Sequence, residues 1–130
     1  MSFLNNLFGK NKAEELPDVY WSYLEHEQQL EEINQTSFQK PVVIFKHSTG
    51  CGISRMSWNQ FQKDYNIPND KMELYYLDLL AYRSISNAIA EKYGVEHQSP
   101  QILVIKDGAV VFHTSHESID AKDLEEYVND

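Results

Sequence analysis

The sequence predicts an α/β domain: a mixed sheet of about five strands in the order β-α-β-α-β-α-β-β-α, with helices on both faces. Three observations carry this expectation. Short apolar runs rich in Val, Ile and Tyr alternate with longer stretches whose apolar residues recur at helical spacing. The inner strands are apolar on both sides, so each side needs its own cover of helices. The last two strands are joined through Asp107-Gly108, a pair that favours a tight hairpin and therefore an antiparallel edge.

Composition is consistent with one such domain. A chain of 130 residues can bury a core without covalent staples, and 42% hydrophobic with 24% charged residues is a globular balance. The net charge of −9 argues against a nucleic-acid groove or an anionic membrane surface as partner. One cysteine, Cys51, excludes a disulfide scaffold. No run approaches the roughly 18 apolar residues of a membrane span, and the N-terminus lacks the apolar core of a signal peptide. A cytoplasmic monomer is the expectation.

Residues 1–18 read as a tail. Phe3, Leu4, Leu7 and Phe8 have the spacing of a short amphipathic helix, which Gly9 and Lys10-Asn11-Lys12 interrupt, so a frayed terminus fits equally. Leu16-Pro17-Asp18 marks the boundary of a domain over 19–130, because proline turns its predecessor away from helix. Val19 to Leu24 is β-prone and predicts a first strand. A polar helix follows over about His26 to Thr36, with Leu30 and Ile33 facing inward. The second strand spans 42 to 47, and the next helix runs from Cys51 to Tyr65 with Trp58, Phe61 and Tyr65 on its core face. Lys71 to Leu79 predicts a strand with Met72, Leu74 and Tyr76 on one face and Tyr75, Leu77 and Leu79 on the other.

Ile85, Ala88, Ile89 and Tyr93 form the clearest helical stripe, closed by Gly94 where a left-handed residue is wanted. Pro100 precedes the apolar strand Ile102 to Ile105, and Val110 to His113 returns antiparallel. The last helix starts at Asp120 as N-cap, with Ile119 and Leu124 spaced as a hydrophobic staple and Asp123 at the third position, and ends near Val128.

The chemistry concentrates between Val42 and Ser54. A buried strand leads through small residues to Cys51 and then a helix, which places the cysteine at a helix start. There, free main-chain N–H groups and the helix dipole favour a thiolate over a thiol. Free cysteines are often buried and inert, but Gly50 and Gly52 on either side leave the sulfur open to approach. Lys46 at the strand end has three readings: a binder of the carboxylates of a small acidic thiol, a charge that favours the Cys51 thiolate, or a solvated strand-end residue. With one cysteine and with His26, His47, His97, His113 and His116 scattered, no ligand set has metal-site spacing, and no metal is expected.

A cysteine at the start of the helix after the second strand, with Ser99-Pro100 opening a later strand, resembles the thioredoxin-like superfamily over Val19 to Val128. Cys51-Gly52-Ile53-Ser54 is similar to the monothiol glutaredoxins, with Ser54 in the place of a resolving cysteine. The longer signature Val43-Ile44-Phe45-Lys46-His47-Ser48-Thr49, followed by Cys51-Gly52-Ile53-Ser54, resembles the monothiol bacilliredoxins of the bacillithiol system.

That resemblance implies a thiol–disulfide oxidoreductase that removes bacillithiol from protein mixed disulfides through Cys51. Ser54 would donate to the sulfur without being able to attack a disulfide, and a plain helix-start serine is the alternative. The substrate-facing set would be Lys46, Thr49, Gly50, Gly52, Ser99 and Pro100, with Pro100 cis beside Cys51 and the Ser99 backbone free to pair with an extended substrate. No tightly bound cofactor is implied. Bacillithiol is the co-substrate, bacillithiolated proteins are the clients, and bacillithiol or a partner thiol protein is the reductant.

Two other readings stay open. Gly52 stands where many bacilliredoxins carry proline, which makes the motif similar to the Cys-Gly-Phe-Ser carriers of iron–sulfur clusters. Their paired glycines after the last strand are replaced here by Thr114-Ser115-His116. A thioredoxin-fold adaptor without redox turnover is the third reading.

Overall fold

The computed structural model describes residues 19–128, so the expected tail over 1–18 lies outside the described residues. The elements are β1 (Ser22–Tyr23), α1 (Gln29–Thr36), β2 (Val42–His47), α2 (Gly52–Asp64), β3 (Glu73–Asp78), α3 (Arg83–Tyr93), β4 (Gln101–Lys106) and β5 (Ala109–Ser115), followed by 3₁₀ turns at His116–Ser118 and Ala121–Tyr127. One five-stranded sheet has the order β1-β3-β2-β4-β5. Strands β1, β3 and β2 run parallel, while β4 and β5 are antiparallel to their neighbours. This is the thioredoxin fold, a mixed α/β sheet with helices on both sides.

Alternation along β2 divides the core in two. Val42 and Ile44 pack with Leu30 and Ile33 of α1 and Ile85 and Ile89 of α3. Val43 and Phe45 pack on the other side with Phe61 and Tyr65 of α2 and with Ala121 and Leu124. Because successive side chains alternate, Lys46 belongs to the α1/α3 face and His47 to the α2 face.

Local signals fix the ends of several elements. Gly94 closes α3 at φ 69°, with its N–H donated to the Ala90 carbonyl at 2.9 Å. Asp107 (φ 54°) and Gly108 (φ 80°) make the left-handed pair that joins β4 to β5.

Three expectations need correction. The first strand was expected over Val19 to Leu24, yet only Ser22–Tyr23 pairs, because Trp21 turns into the α2 layer. Its ring packs on Trp58 and Phe61, and its Nε1–H donates to Gln62 Oε1 at 3.1 Å. The first helix begins at Gln29 rather than His26, since Gln29 Oε1 accepts from the Glu25 and His26 N–H groups and holds that entry as a turn. The last helix is 3₁₀ rather than α. Ala121, Leu124 and Tyr127 all pack on the α2-side core, and that period of three suits a helix in which side chains at i and i+3 eclipse. Asp120 caps it as expected, accepting from the Lys122 N–H at 3.0 Å.

Candidate active site

Cys51 is exposed and sits at the N-cap of α2 in extended conformation (φ −109°, ψ 123°). Its carbonyl accepts the first helical bond, from the Arg55 N–H at 3.0 Å, and its N–H donates to Ser48 O at 3.1 Å. A cap position usually holds a side-chain oxygen that meets the orphan N–H groups of the first turn. Cys51 holds that position here without a side-chain cap hydrogen bond.

The flanking glycines differ. A side chain at Gly50 would meet Leu80 Cδ1 at 3.4 Å, whereas at Gly52 it would meet nothing within 4 Å. The approach over Gly52 is therefore open. Thr49 is exposed, and its carbonyl accepts from Arg55 Nη2 at 3.3 Å, which ties the loop back to α2.

Ser54 is fully buried. Its Oγ accepts from the Ser48 N–H at 3.1 Å and lies 2.7 Å from His47 Nδ1. No hydrogen bond to the Cys51 sulfur occurs among the described residues, so Ser54 clamps the loop start to the strand end. His47 completes the clamp: it is buried, its ring stacks on Trp58 at 5.6 Å and 14°, and its carbonyl accepts from the Leu79 N–H. Burial holds its imidazole below the usual pKa and Arg55 adds to this, while Asp78 opposes both.

The Ser99–Pro100 peptide bond is cis. Gln101 pairs with Lys46, so Pro100 lies at the same sheet end as the Cys51 loop. The Ser99 main-chain N–H and C=O make no hydrogen bond among the described residues. Its Oγ is buried without a partner. Pro100 O accepts from the N–H of His116, which adopts φ 57° at the end of β5.

Lys46 is not the solvated strand-end residue that one reading expected. It is fully buried, and Nζ has no hydrogen-bond partner. Burial is the main cause, and the nearby Arg83 charge the second, of a pKa lowered to about 8.

Sequence reasoning missed three features. The sequence alone offers His47 only as a metal ligand, although strand alternation assigns it to the α2 face with Phe45. Ile53 and Met56 fall off the Trp58-Phe61-Tyr65 stripe of α2, which signals their outward position. With Leu80 they form an exposed apolar rim (63–72% accessible) beside Cys51. Beyond it, Ile53, Met56, Ser57, Gln60, His116 and Ile119 line a shallow groove of about 320 Å³. Among the described residues, no group of three or more His, Cys, Asp or Glu is placed to hold a metal ion, and no helix is long and apolar enough to cross a membrane.

Residues 22–124 match the family model described as monothiol bacilliredoxin BrxC. Among solved structures, a proposed oxidoreductase with a thioredoxin fold is 31% identical, with a TM-score of 0.70 over 82% of this chain and 92% of that one. Malassezia sympodialis thioredoxin is 22% identical with a TM-score of 0.64, covering 89% of this chain and 94% of its own. Thioredoxin O2 from Arabidopsis thaliana is 18% identical with a TM-score of 0.60, covering 82% and 89%. The two thioredoxins establish likeness of fold. The family match and the first structure support a thiol redox function.

Proposed function

Because the chain belongs to the monothiol bacilliredoxin family, we propose that it removes bacillithiol from protein mixed disulfides. The observation that carries this reading is an exposed, solitary Cys51 at a helix N-cap, with Ser54 buried where a resolving thiol would otherwise stand. The Cys51 thiolate attacks the bacillithiol sulfur of the client disulfide. A Cys51–bacillithiol disulfide forms, and the client leaves as a thiolate that takes a proton from solvent. A second thiol, either bacillithiol or a partner thiol protein, then attacks the Cys51 adduct, takes the bacillithiol as a new disulfide and restores the Cys51 thiolate.

Ser54 positions the loop through His47 and Ser48. Thr49, Gly50 and Gly52 border the approach to the sulfur. The unpaired Ser99 backbone beside Pro100 offers one donor and one acceptor to an extended client segment. The rim of Ile53, Met56 and Leu80 suits a protein client, since exposed apolar patches mark association surfaces.

The test is mass spectrometry of the intact chain after mixing with a bacillithiolated protein. The expected result is one bacillithiol added to this chain and a free thiol on the client, with no addition to the Cys51→Ser variant. An unmodified Cys51 and an unchanged client would overturn the proposal.

A further inference from the structure

The exchange leaves unused the groove of about 320 Å³ that lies beyond the apolar rim. Ile53, Met56 and Ser57 of α2 line it from one side, and Ile119 with the 3₁₀ turn at His116–Ser118 lines it from the other. Ile53 and Met56 are 69% and 72% accessible, so nothing among the described residues covers this face of α2. The groove border is acidic. Glu117 is the one fully charged side chain in the lining, and Gln60 on the α2 side donates to the Asp64 carboxylate at 3.0 Å. Such a groove fits a segment that is both apolar and basic.

One stretch of the chain has that chemistry. Residues 1–12 hold Phe3, Leu4, Leu7 and Phe8 together with Lys10 and Lys12, and no acidic residue, although the whole chain carries −9. The stretch lies outside the described residues, but its point of attachment does not. Val19 packs against the α2-side core, as Trp58 and Ile119 do, and Trp21 is tied to α2 through Gln62. The chain therefore enters the domain on the face of the sheet that carries the groove. At about 100° per residue, Trp58 and Gln62 point to one flank of α2 while Ile53, Ser57 and Gln60 point to the other. Residues 9–18 separate Phe8 from Val19, an extended reach of roughly 30–35 Å. A helix with its side chains is only about 10–12 Å wide. The chain outside the described residues is thus long enough to cross the outward face of α2 and reach the groove.

We propose that residues 3–8 of the chain dock in this groove, with Lys10 and Lys12 drawn to the acids at its border. Apolar contact supplies the attachment, and the charges set its direction, since exposed ion pairs contribute little alone. Ile53 and Met56 belong both to the groove and to the rim beside Cys51, so the docked segment competes with a protein client for them. Covalent linkage gives the segment a high effective concentration at the groove, and a client must displace it. A small disulfide that needs only the Cys51 sulfur does not compete. The docking stands on the groove and the segment; its consequence for clients rests on the de-bacillithiolation reading.

Two measurements test this with the full chain. Cys51 is the only cysteine, so a nitroxide attached to it reports what lies beside it. Paramagnetic broadening of the Leu4, Leu7 and Phe8 amide resonances is expected, and it should be lost when Leu4→Ser and Leu7→Ser are combined. Without the label, the same double variant should shift the methyl resonances of Ile53, Met56 and Ile119 and leave that of Leu30, on the other face of the sheet, in place. Absence of broadening, or groove methyl groups that are identical in the two chains, would overturn the docking. Broadening carried between molecules, in a mixture of spin-labelled unenriched chains and unlabelled ¹⁵N chains, would give the groove to a second copy and overturn it as well. The second measurement is kinetic. Transfer from a bacillithiolated reporter protein is expected to quicken about threefold in the double variant, as the uncovered fraction rises. Transfer from the mixed disulfide of bacillithiol and 2-mercaptoethanol should be unchanged. Equal acceleration of both, or of neither, counts against the competition. Absence of transfer in either chain, with the broadening in place, refutes the exchange reading alone.

Discussion

Lys46 and His47 are consecutive residues at the end of β2, both buried and both polar, and they meet opposite fates. His47 turns to the α2 face, where Ser54 Oγ meets its Nδ1, Ser48 shares that oxygen, and Trp58 covers the ring. Lys46 turns to the α3 face, where nothing accepts from its ammonium. Buried polar groups are tolerated when bonded and costly when not. The α2 side is therefore finished architecture that sets the cysteine loop. The α3 side carries an unmet demand, which a folded chain keeps only at the expense of stability.

The sharpest test applies one substitution to both sides. Ser54 and Ser99 each bury a hydroxyl, but only Ser54 Oγ is bonded. Ser54→Ala strands the Ser48 N–H and His47 Nδ1, and a loss of about 2–4 kcal/mol is expected in urea denaturation. Ser99→Ala removes an orphan, so its change should stay within about 0.5 kcal/mol of wild type or be stabilising. Equal losses at the two positions would erase the contrast.

Next in size is Lys46→Met, which keeps length and apolar stem while deleting the charge. Removing an unpaired buried charge should stabilise the fold by about 1–3 kcal/mol, visible as a rise of several degrees in the thermal midpoint. A lowered midpoint would mean that Lys46 supports the fold instead of burdening it.

The two residues also predict opposite limbs of the stability–pH curve. His47, with a folded pKa below its usual 6.5, stays neutral where the unfolded chain takes up a proton. Stability is therefore full above about pH 6.5 and falls as the pH drops below it, by at most about 1.4 kcal/mol per pH unit. His97, lowered for a similar reason, adds to the same limb. Lys46 works at the alkaline end. Between about 8 and 10.5 the folded chain gives up its proton before the unfolded chain does, so stability rises with pH. Denaturation from pH 5 to 10 should show both slopes, with Lys46→Met removing the alkaline rise and His47→Gln reducing the acid fall.

Much of this was legible in the sequence, and the limit is instructive. Strand β2, helices α2 and α3, the Asp107-Gly108 turn and the Gly94 stop follow from local chemistry: periodicity, β-branched runs and residues that accept positive φ. The Cys51 position at a helix start followed in the same way. Family resemblance, in contrast, supplied the expectation of a cis Pro100. What local pattern could not supply was the cover. Lys46 and His47 read as polar residues at a strand end, where solvent is the default. Only tertiary packing decides that α2 brings Ser54 and Trp58 over one, while the other is buried with no acceptor for its ammonium. The 3₁₀ turn at Ala121–Tyr127 escaped for a related reason, since its threefold register answers to the core it packs on.

A third kind of donor completes the contrast, and it gives the smallest effect. The Gly52 N–H has no partner among the described residues, like Lys46 Nζ, but Gly52 is exposed and water can satisfy it. An unmet donor at the surface should carry no stability penalty, so removing it should recover none. Gly52→Pro tests this directly. Gly52 is the first residue of α2, where proline's fixed φ and missing N–H are tolerated. Cys51 before it already has the extended conformation that a following proline requires, and the space beside Gly52 is empty. The expected gain is about 0.4–1 kcal/mol, arising from lost freedom in the unfolded chain rather than from any folded-state contact. Exchange kinetics of the same variant separate the two roles of that donor. If stability rises while the rate of bacillithiol transfer falls, the Gly52 N–H serves the Cys51 sulfur. If both hold or improve, the charge on sulfur is held by the remaining N–H groups of the first turn and by the helix dipole.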